Sequence, residues 1–202
     1  MTLGQRFARL ATDVVVRRPA LWRLFRGPLR RFFDRIAPQW DTMRSPAGLA
    51  AFELALANVE PPRRVLDLGT GTGSAALILA RRFPEAEITG VDVSPRMIDE
   101  ARRKAGPELG ERVRYEVGDA ERLRFEDGAF DLVTLANAIP FFDELARLVA
   151  RGGTVLFSFS LGPRTPIYVP PERLETELRS RGFAEFAQFS APPASALLCR
   201  KR

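Results

Sequence analysis

The chain has 202 residues, 46 % of them hydrophobic, with one cysteine and no histidine. That length buries roughly two-thirds of the unfolded surface as a single domain. A lone Cys199 excludes an internal disulfide, and the missing histidines remove the commonest metal ligand and the commonest general base. The net charge of +6 is concentrated at one end: residues 1–36 carry nine arginines against Asp13 and Asp34, and the rest holds 22 basic and 23 acidic residues. This distribution argues against a nucleic-acid groove built across the whole fold.

In chain order, Leu3, Phe7, Leu10 and Val14 recur at helical spacing until Pro19 interrupts them. Leu21, Leu24, Phe25, Leu29, Phe32, Phe33 and Ile36 then line one side of a second helix, or of two pieces bent at Gly27-Pro28, with arginines on the other side. Ser45-Pro46 reads as an N-cap with proline in the first turn of a helix reaching about Asn58. The spacing therefore divides the chain into a basic helical extension or lid (1–45) and a main domain (46–202).

In the main domain short β-rich runs alternate with helical stretches: RRVLDLG, SAALILARRF, AEITGVDV, PRMIDEARRKA, RVRYEVG, FDLVTLA, FFDELARLVA and GTVLFSFS. Crossovers of that length build parallel strands covered on both faces. After helix PERLETELRSRG, the runs FAEFAQFS and SALLCRK are joined only by Ala-Pro-Pro-Ala, a link short enough to require a hairpin. The predicted fold is α/β: a doubly wound, mostly parallel seven-stranded sheet with an antiparallel C-terminal strand and an N-terminal helical cap. No apolar run reaches the roughly 18 residues that span a bilayer. The N-terminus also lacks an apolar stretch of signal-peptide type, which predicts a soluble, cytoplasmic chain.

In such a sheet ligands sit beyond the carboxyl ends of the strands. The first strand ends at Asp67, followed by Gly69, Gly71 and Gly73; the pattern is G-x-G-x-G, with Ser74 where a dinucleotide site places its third glycine. Asp92 ends the second strand, suited to ribose hydroxyls, and Asp119 follows the third, suited to an adenine amino group. Three carboxylates about one crevice favour a ligand with ammonium and sulfonium charge over one with two phosphates.

VLDLGTGTG (65–73), GVDVSPRMIDEAR (90–102), GDAERLRFEDGAFDLV (118–133) and FFDELARLVARGGTVLFSFS (141–160) together resemble the class I S-adenosylmethionine-dependent methyltransferases. The resemblance implies S-adenosylmethionine as cofactor. It assigns the methionine portion to the backbone of Gly69, Gly71 and Gly73, with Asp67 supporting its amino end, the ribose to Asp92, and the adenine to Asp119 and Met97. FDRIAPQWD (33–41) resembles the ubiquinone- and menaquinone-pathway group, implying a small-molecule acceptor. Asn137, Phe141, Trp40 and Tyr168 are the candidate acceptor contacts. NAIPF departs from the D/N-P-P-Y/F tetrapeptide of nucleic-acid amino methyltransferases, which disfavours nucleic acid as substrate. No metal constellation is present and no side chain is assigned a catalytic role, so proximity-driven in-line displacement is the expected mechanism.

Two rivals are a nicotinamide-dependent oxidoreductase, disfavoured by Ser74 and by the lack of a Tyr-x-x-x-Lys or histidine acid, and a non-catalytic adenosyl-binding module. The basic extension fits a lid with solvated arginines, or an interfacial segment in peripheral contact with anionic membrane through residues 1–36.

Overall fold

In the computed structural model, which describes residues 3–202, seven strands form one sheet in the order β3-β2-β1-β4-β5-β7-β6. The strands are β1 (Arg64–Leu68), β2 (Glu87–Asp92), β3 (Val113–Val117), β4 (Phe130–Ala136), β5 (Val149–Phe159), β6 (Phe183–Ala191) and β7 (Ala194–Lys201). Helices α4 (Ser74–Arg82), α5 (Pro95–Ala105), α6 (Phe142–Leu148) and α7 (Pro171–Arg179) connect them. β7 runs antiparallel to both β5 and β6, as the short Ala191–Ala194 link requires. The order reverses between β1 and β4, and that switch point opens a crevice at the carboxyl ends of the strands.

Alternation along each strand divides the core between the two faces. Val65, Leu132 and Leu156 pack with α3 (Ala50–Leu56), α4 and α5. Leu66, Leu68, Val133, Val155 and Phe157 pack with α6 and α7. Cys199 is fully buried in this second layer, where desolvation pushes its thiol well above the ordinary range.

The extension folds into α1 (Leu3–Arg17) and α2 (Trp22–Ile36), joined by one 3₁₀ turn. It builds a third apolar cluster in which Ala8, Ala11, Val15, Trp22 and Leu29 meet Ile139, Phe141 and Ile167 of the main domain. α2 is a single helix with Pro28 inside it, which selects one helix from the two arrangements the sequence allowed. Proline forfeits the bond to the carbonyl four residues back. Here that residue is Leu24, 62 % exposed, on the solvent side where the loss is least costly. The segment after Ser45 also differs from expectation: it begins as a 3₁₀ turn before α3, and the Ser45 side chain makes no capping bond. Among the described residues, no helix is long and apolar enough to cross a membrane.

Candidate functional site

At the switch point β1 ends in a tight loop: Gly69 and Thr70 both donate their N–H to the Val91 carbonyl, at 2.8 and 3.0 Å, which welds the loop to β2. Gly69, Gly71 and Gly73 all have positive φ, and Gly73 is the left-handed N-cap of α4. Asp67 is fully buried beneath this loop, where Thr70 Oγ1 donates to it at 2.6 Å and Thr134 Oγ1 at 2.8 Å. Desolvation raises its pKa against those bonds. The expected crevice shared by three carboxylates is therefore corrected: Asp67 shapes the loop from below and does not line the cavity.

Asp92 does line it. Its carboxylate accepts from the Gly71 N–H at 3.0 Å and the Ser94 N–H at 2.9 Å, leaving lone pairs for hydroxyl donors. Burial nevertheless pushes its pKa up to about 6, because those two bonds only partly offset desolvation. Ser94 caps α5 by accepting from the Met97 N–H at 3.1 Å, and so fixes Met97 in the cavity wall.

The cavity encloses about 320 Å³. Its floor is Leu68 at the end of β1 with Gly69 and Gly71 beyond it, Asp92 at the end of β2, Gly118 and Ala120 after β3, and Asn137 to Ile139 after β4. Its roof is the extension, including Ala8, Trp22, Leu29 and Phe33. Polar ties hold that roof down. Trp22 Nε1 and Arg26 Nη1 each donate to Asp119 at 2.7 Å. Ser94 Oγ donates to Asp34 at 2.6 Å, Thr72 Oγ1 donates to Asp41 at 2.6 Å, and Arg9 Nη2 reaches the Thr165 and Pro163 carbonyls at 2.7 and 2.8 Å. Asp119 thus follows β3 as predicted, but the roof already claims two of its acceptor positions, and the cavity wall on either side of it is Gly118 and Ala120.

Of the candidate acceptor contacts, Asn137, Phe141 and Trp40 line the cavity. Asn137 takes positive φ, and its Oδ1 accepts from the Ser160 N–H at 2.8 Å. Phe141 meets Trp22 edge-on at 5.4 Å. Tyr168 is placed elsewhere: it packs edge-on against Phe159 at 4.9 Å, and the Arg9 guanidinium lies over its ring. Gly73 also stays behind the lining, packed against Tyr115.

Sequence reasoning missed Arg44 and Trp22. Arg44 lines the cavity with its guanidinium 5.5 Å over the Trp40 ring. One of its nitrogens and Trp40 Nε1 are buried donors with no hydrogen-bond partner among the described residues. Two orphaned donors beside Gly71 form a place for an anionic group such as a carboxylate. The lining fits S-adenosylmethionine, which Arg44 and Trp40 would hold at its amino-acid end, Asp92 at the ribose, and Met97 with the Gly118–Ala120 turn at the adenine. Among the described residues no cluster of His, Cys, Asp and Glu could hold a metal ion.

Residues 65–156 match the family described as a methyltransferase domain. The chain is 40 % identical over 137 residues to the demethylmenaquinone methyltransferase of Thermus thermophilus, covering 61 % of this chain and 62 % of that protein. It is 38 % identical over 148 residues to the malonyl-[acyl-carrier protein] O-methyltransferase of Halorhodospira halophila, covering 68 % and 49 %. The chain therefore spans about half to three-fifths of the length of these relatives. The fold superposes with a TM-score of 0.61 on phosphoethanolamine N-methyltransferase 2 of Haemonchus contortus in complex with S-adenosyl-L-methionine, at 20 % identity over 76 % of this chain and 52 % of that one. The matched domain, the relatives and the strand order agree with the glycine-loop geometry: residues 65–156 carry a methyltransferase domain, and the chain is similar to S-adenosylmethionine-dependent methyltransferases.

Proposed function

We propose that this chain methylates an electron-rich ring carbon of a small apolar acceptor of the quinol type. One observation carries the reading: among the described residues, Arg44 and Asp92 are the only ionisable ones lining the cavity, and both lie toward the glycine-loop end. The other end, under the roof, is formed by Leu29, Phe33, Ile36, Ile139, Phe141 and Ile167. An acceptor bound there finds no side-chain base, so it must bring its own nucleophilicity, as a hydroquinone ring does. The C–CH3 bond forms as the S–CH3 bond breaks, and the displaced ring proton passes to solvent as the keto form of the product rearomatises. S-adenosylmethionine supplies a methyl group activated by a sulfonium, whose departure as a neutral thioether needs no acid. What the protein's residues supply is position and exclusion of water: Phe141 and Trp22 wall the apolar end, and Asp92 and Arg44 fix the other reactant.

Relatives named demethylmenaquinone methyltransferases support this acceptor class. A malonyl-thioester carboxylate, suggested by other relatives, is less well served, because the one cation lining the cavity among the described residues stands at the glycine-loop end. The family match sets the nicotinamide rival aside. The reading extends to peripheral contact of residues 1–36 with membrane, since quinols of this class dissolve in bilayers.

The test has two stages. Calorimetry should show binding of S-adenosylmethionine and S-adenosylhomocysteine but not NAD. Mass spectrometry should then show one added methyl on a short-chain naphthohydroquinone. Cofactor binding with methylation of a malonyl thioester instead would overturn the acceptor class and keep the family.

A further inference from the structure

Along α1, Leu3, Arg6, Leu10, Asp13 and Arg17 recur at steps of three and four residues, and all five are exposed. On α2 the exposed residues include Arg23, Leu24, Arg31 and Arg35. Three leucines here are far from buried: Leu3 is 85 % exposed, Leu10 55 % and Leu24 62 %. Neither helix needs them for its core, because the opposite faces already bury Ala8, Ala11, Val15, Trp22 and Leu29.

The charges on this surface are as one-sided as its apolar groups are uncovered. Of the two acids in residues 1–36, Asp34 is turned inward to Ser94, which leaves Asp13 alone outside. Arg9 and Arg26 are likewise engaged with the main domain. Arg6, Arg17, Arg18, Arg23, Arg31 and Arg35 remain exposed and pair with no carboxylate among the described residues. Leucines interleaved with unpaired arginines complement a surface that is anionic outside and apolar a few ångströms deeper. A nucleic acid would answer the arginines and leave the leucines in water.

The cavity reaches the surface on the extension. Met43 lines it and is 63 % exposed, and Gly4, next to Leu3, lines it too. We infer that α1 and α2 dock on an anionic bilayer through Leu3, Leu10, Leu24 and the unpaired arginines, so that an apolar acceptor enters the cavity from lipid beneath the roof. This rests on the proposed apolar acceptor, and it assigns the extension two tasks: wall of the site on its inner side, membrane contact on its outer side.

The test is co-sedimentation of the full chain with vesicles of phosphatidylcholine alone and of phosphatidylcholine with phosphatidylglycerol, at low and at physiological salt. S-adenosylhomocysteine binding is measured on every variant as a check on folding. Binding is expected to the anionic vesicles only and to weaken with salt. L10D/L24D should lower vesicle affinity at least tenfold. Replacing Arg17, Arg18, Arg31 and Arg35 by alanine should lower it by about fivefold per arginine. Both sets should bind S-adenosylhomocysteine as the unaltered protein does.

Failure of the intact protein to bind anionic vesicles at low salt overturns the inference. So does binding that L10D/L24D leaves unchanged and that double-stranded DNA competes away, since that describes a polyanion surface. The methyltransferase reading is judged separately: protein that sediments with vesicles but ignores S-adenosylhomocysteine would retain the membrane contact and lose the cofactor.

Discussion

Trp22 and Asp119 lie 97 residues apart in sequence and are joined by a 2.7 Å hydrogen bond from the indole nitrogen. The carboxylate expected to meet adenine is thereby the anchor of the roof. It accepts three donors, from Trp22, Arg26 and the Glu121 N–H. A carboxylate offers about four acceptor positions, so one remains for an adenine amino group. Removing the acid should therefore weaken two things together. Asp119→Ala is expected to lower S-adenosylhomocysteine affinity roughly 10–150-fold, the range for a hydrogen bond to a charged group. It should also speed amide hydrogen exchange in α2. Arg26→Ala, whose partner pair is half exposed, should leave cofactor affinity within about threefold. Equal losses in the two variants would mean that Asp119 serves the roof alone.

Asp92 gives the site a pH dependence. Its pKa is raised from 3.8 to about 6 by burial, so below about 6 it enters cofactor binding protonated and is a poorer acceptor for ribose hydroxyls. Affinity for S-adenosylhomocysteine should be flat above about pH 7 and fall by up to roughly tenfold per unit below 6. Asp92→Asn should bind more weakly at neutral pH and lose this slope, and Asp92→Ala should cost about 30–150-fold. The same shift has an opposite sign in stability. Between 3.8 and about 6 the native chain keeps a proton that the unfolded chain has lost, so this group's contribution falls as pH rises through that window and is constant above it. Calorimetric titrations and urea melts at pH 5, 6 and 7.5 check both signs.

Arg44 should recognise the amino-acid end of the cofactor and nothing else. Arg44→Met keeps an unbranched apolar stem and removes both the guanidinium over the Trp40 ring and its orphaned nitrogen. Affinity for S-adenosylhomocysteine should drop about 10–100-fold, the scale of a lost charge-assisted hydrogen bond. Methylthioadenosine carries the same adenosine but no carboxylate, and its affinity should be unchanged. A matching loss for both ligands would place Arg44 in the structure of the loop instead.

The sheet was legible because its signals are local. Strand runs bounded by glycine and aspartate, and crossovers of helical length, define the parallel core, and the two residues between β6 and β7 admit only a hairpin. The same logic set Asp92 at a strand end and Met97 in the first turn of the next helix, and both line the cavity. What sequence does not show is which distant side chain a local acid meets. Asp119 stands where expected, yet its donors come from α2. Asp67 carries the charge expected of a ligand contact, but two threonines claim it from below. Tyr168 fails for a related reason: an aromatic residue in a loop near the site packs equally well on Phe159, and composition does not distinguish the two. Arg44 lacked any periodic signal because it lies between 3₁₀ turns, where neither helix nor strand spacing applies.

The glycine loop contains a close approach that can be measured on its own. A β-carbon on Gly73 would lie 2.7 Å from the Tyr115 hydroxyl and 3.0 Å from its ring carbon, at a φ of +80° that disfavours any side chain. The Tyr115 hydroxyl is itself buried with no hydrogen-bond partner among the described residues. Tyr115→Phe alone should therefore be neutral or slightly stabilising, because it removes an unsatisfied group at little cost in packing. Gly73→Ala should destabilise by about 2–4 kcal/mol, combining left-handed strain of about 1–2 with displacement of the ring. In the Tyr115→Phe background that penalty should shrink by about 1 kcal/mol and not vanish, because the backbone strain and the ring-carbon contact both remain. Urea denaturation of the four proteins gives the coupling directly. Full additivity would mean that the ring moves freely, and that Gly73 is set by backbone conformation alone.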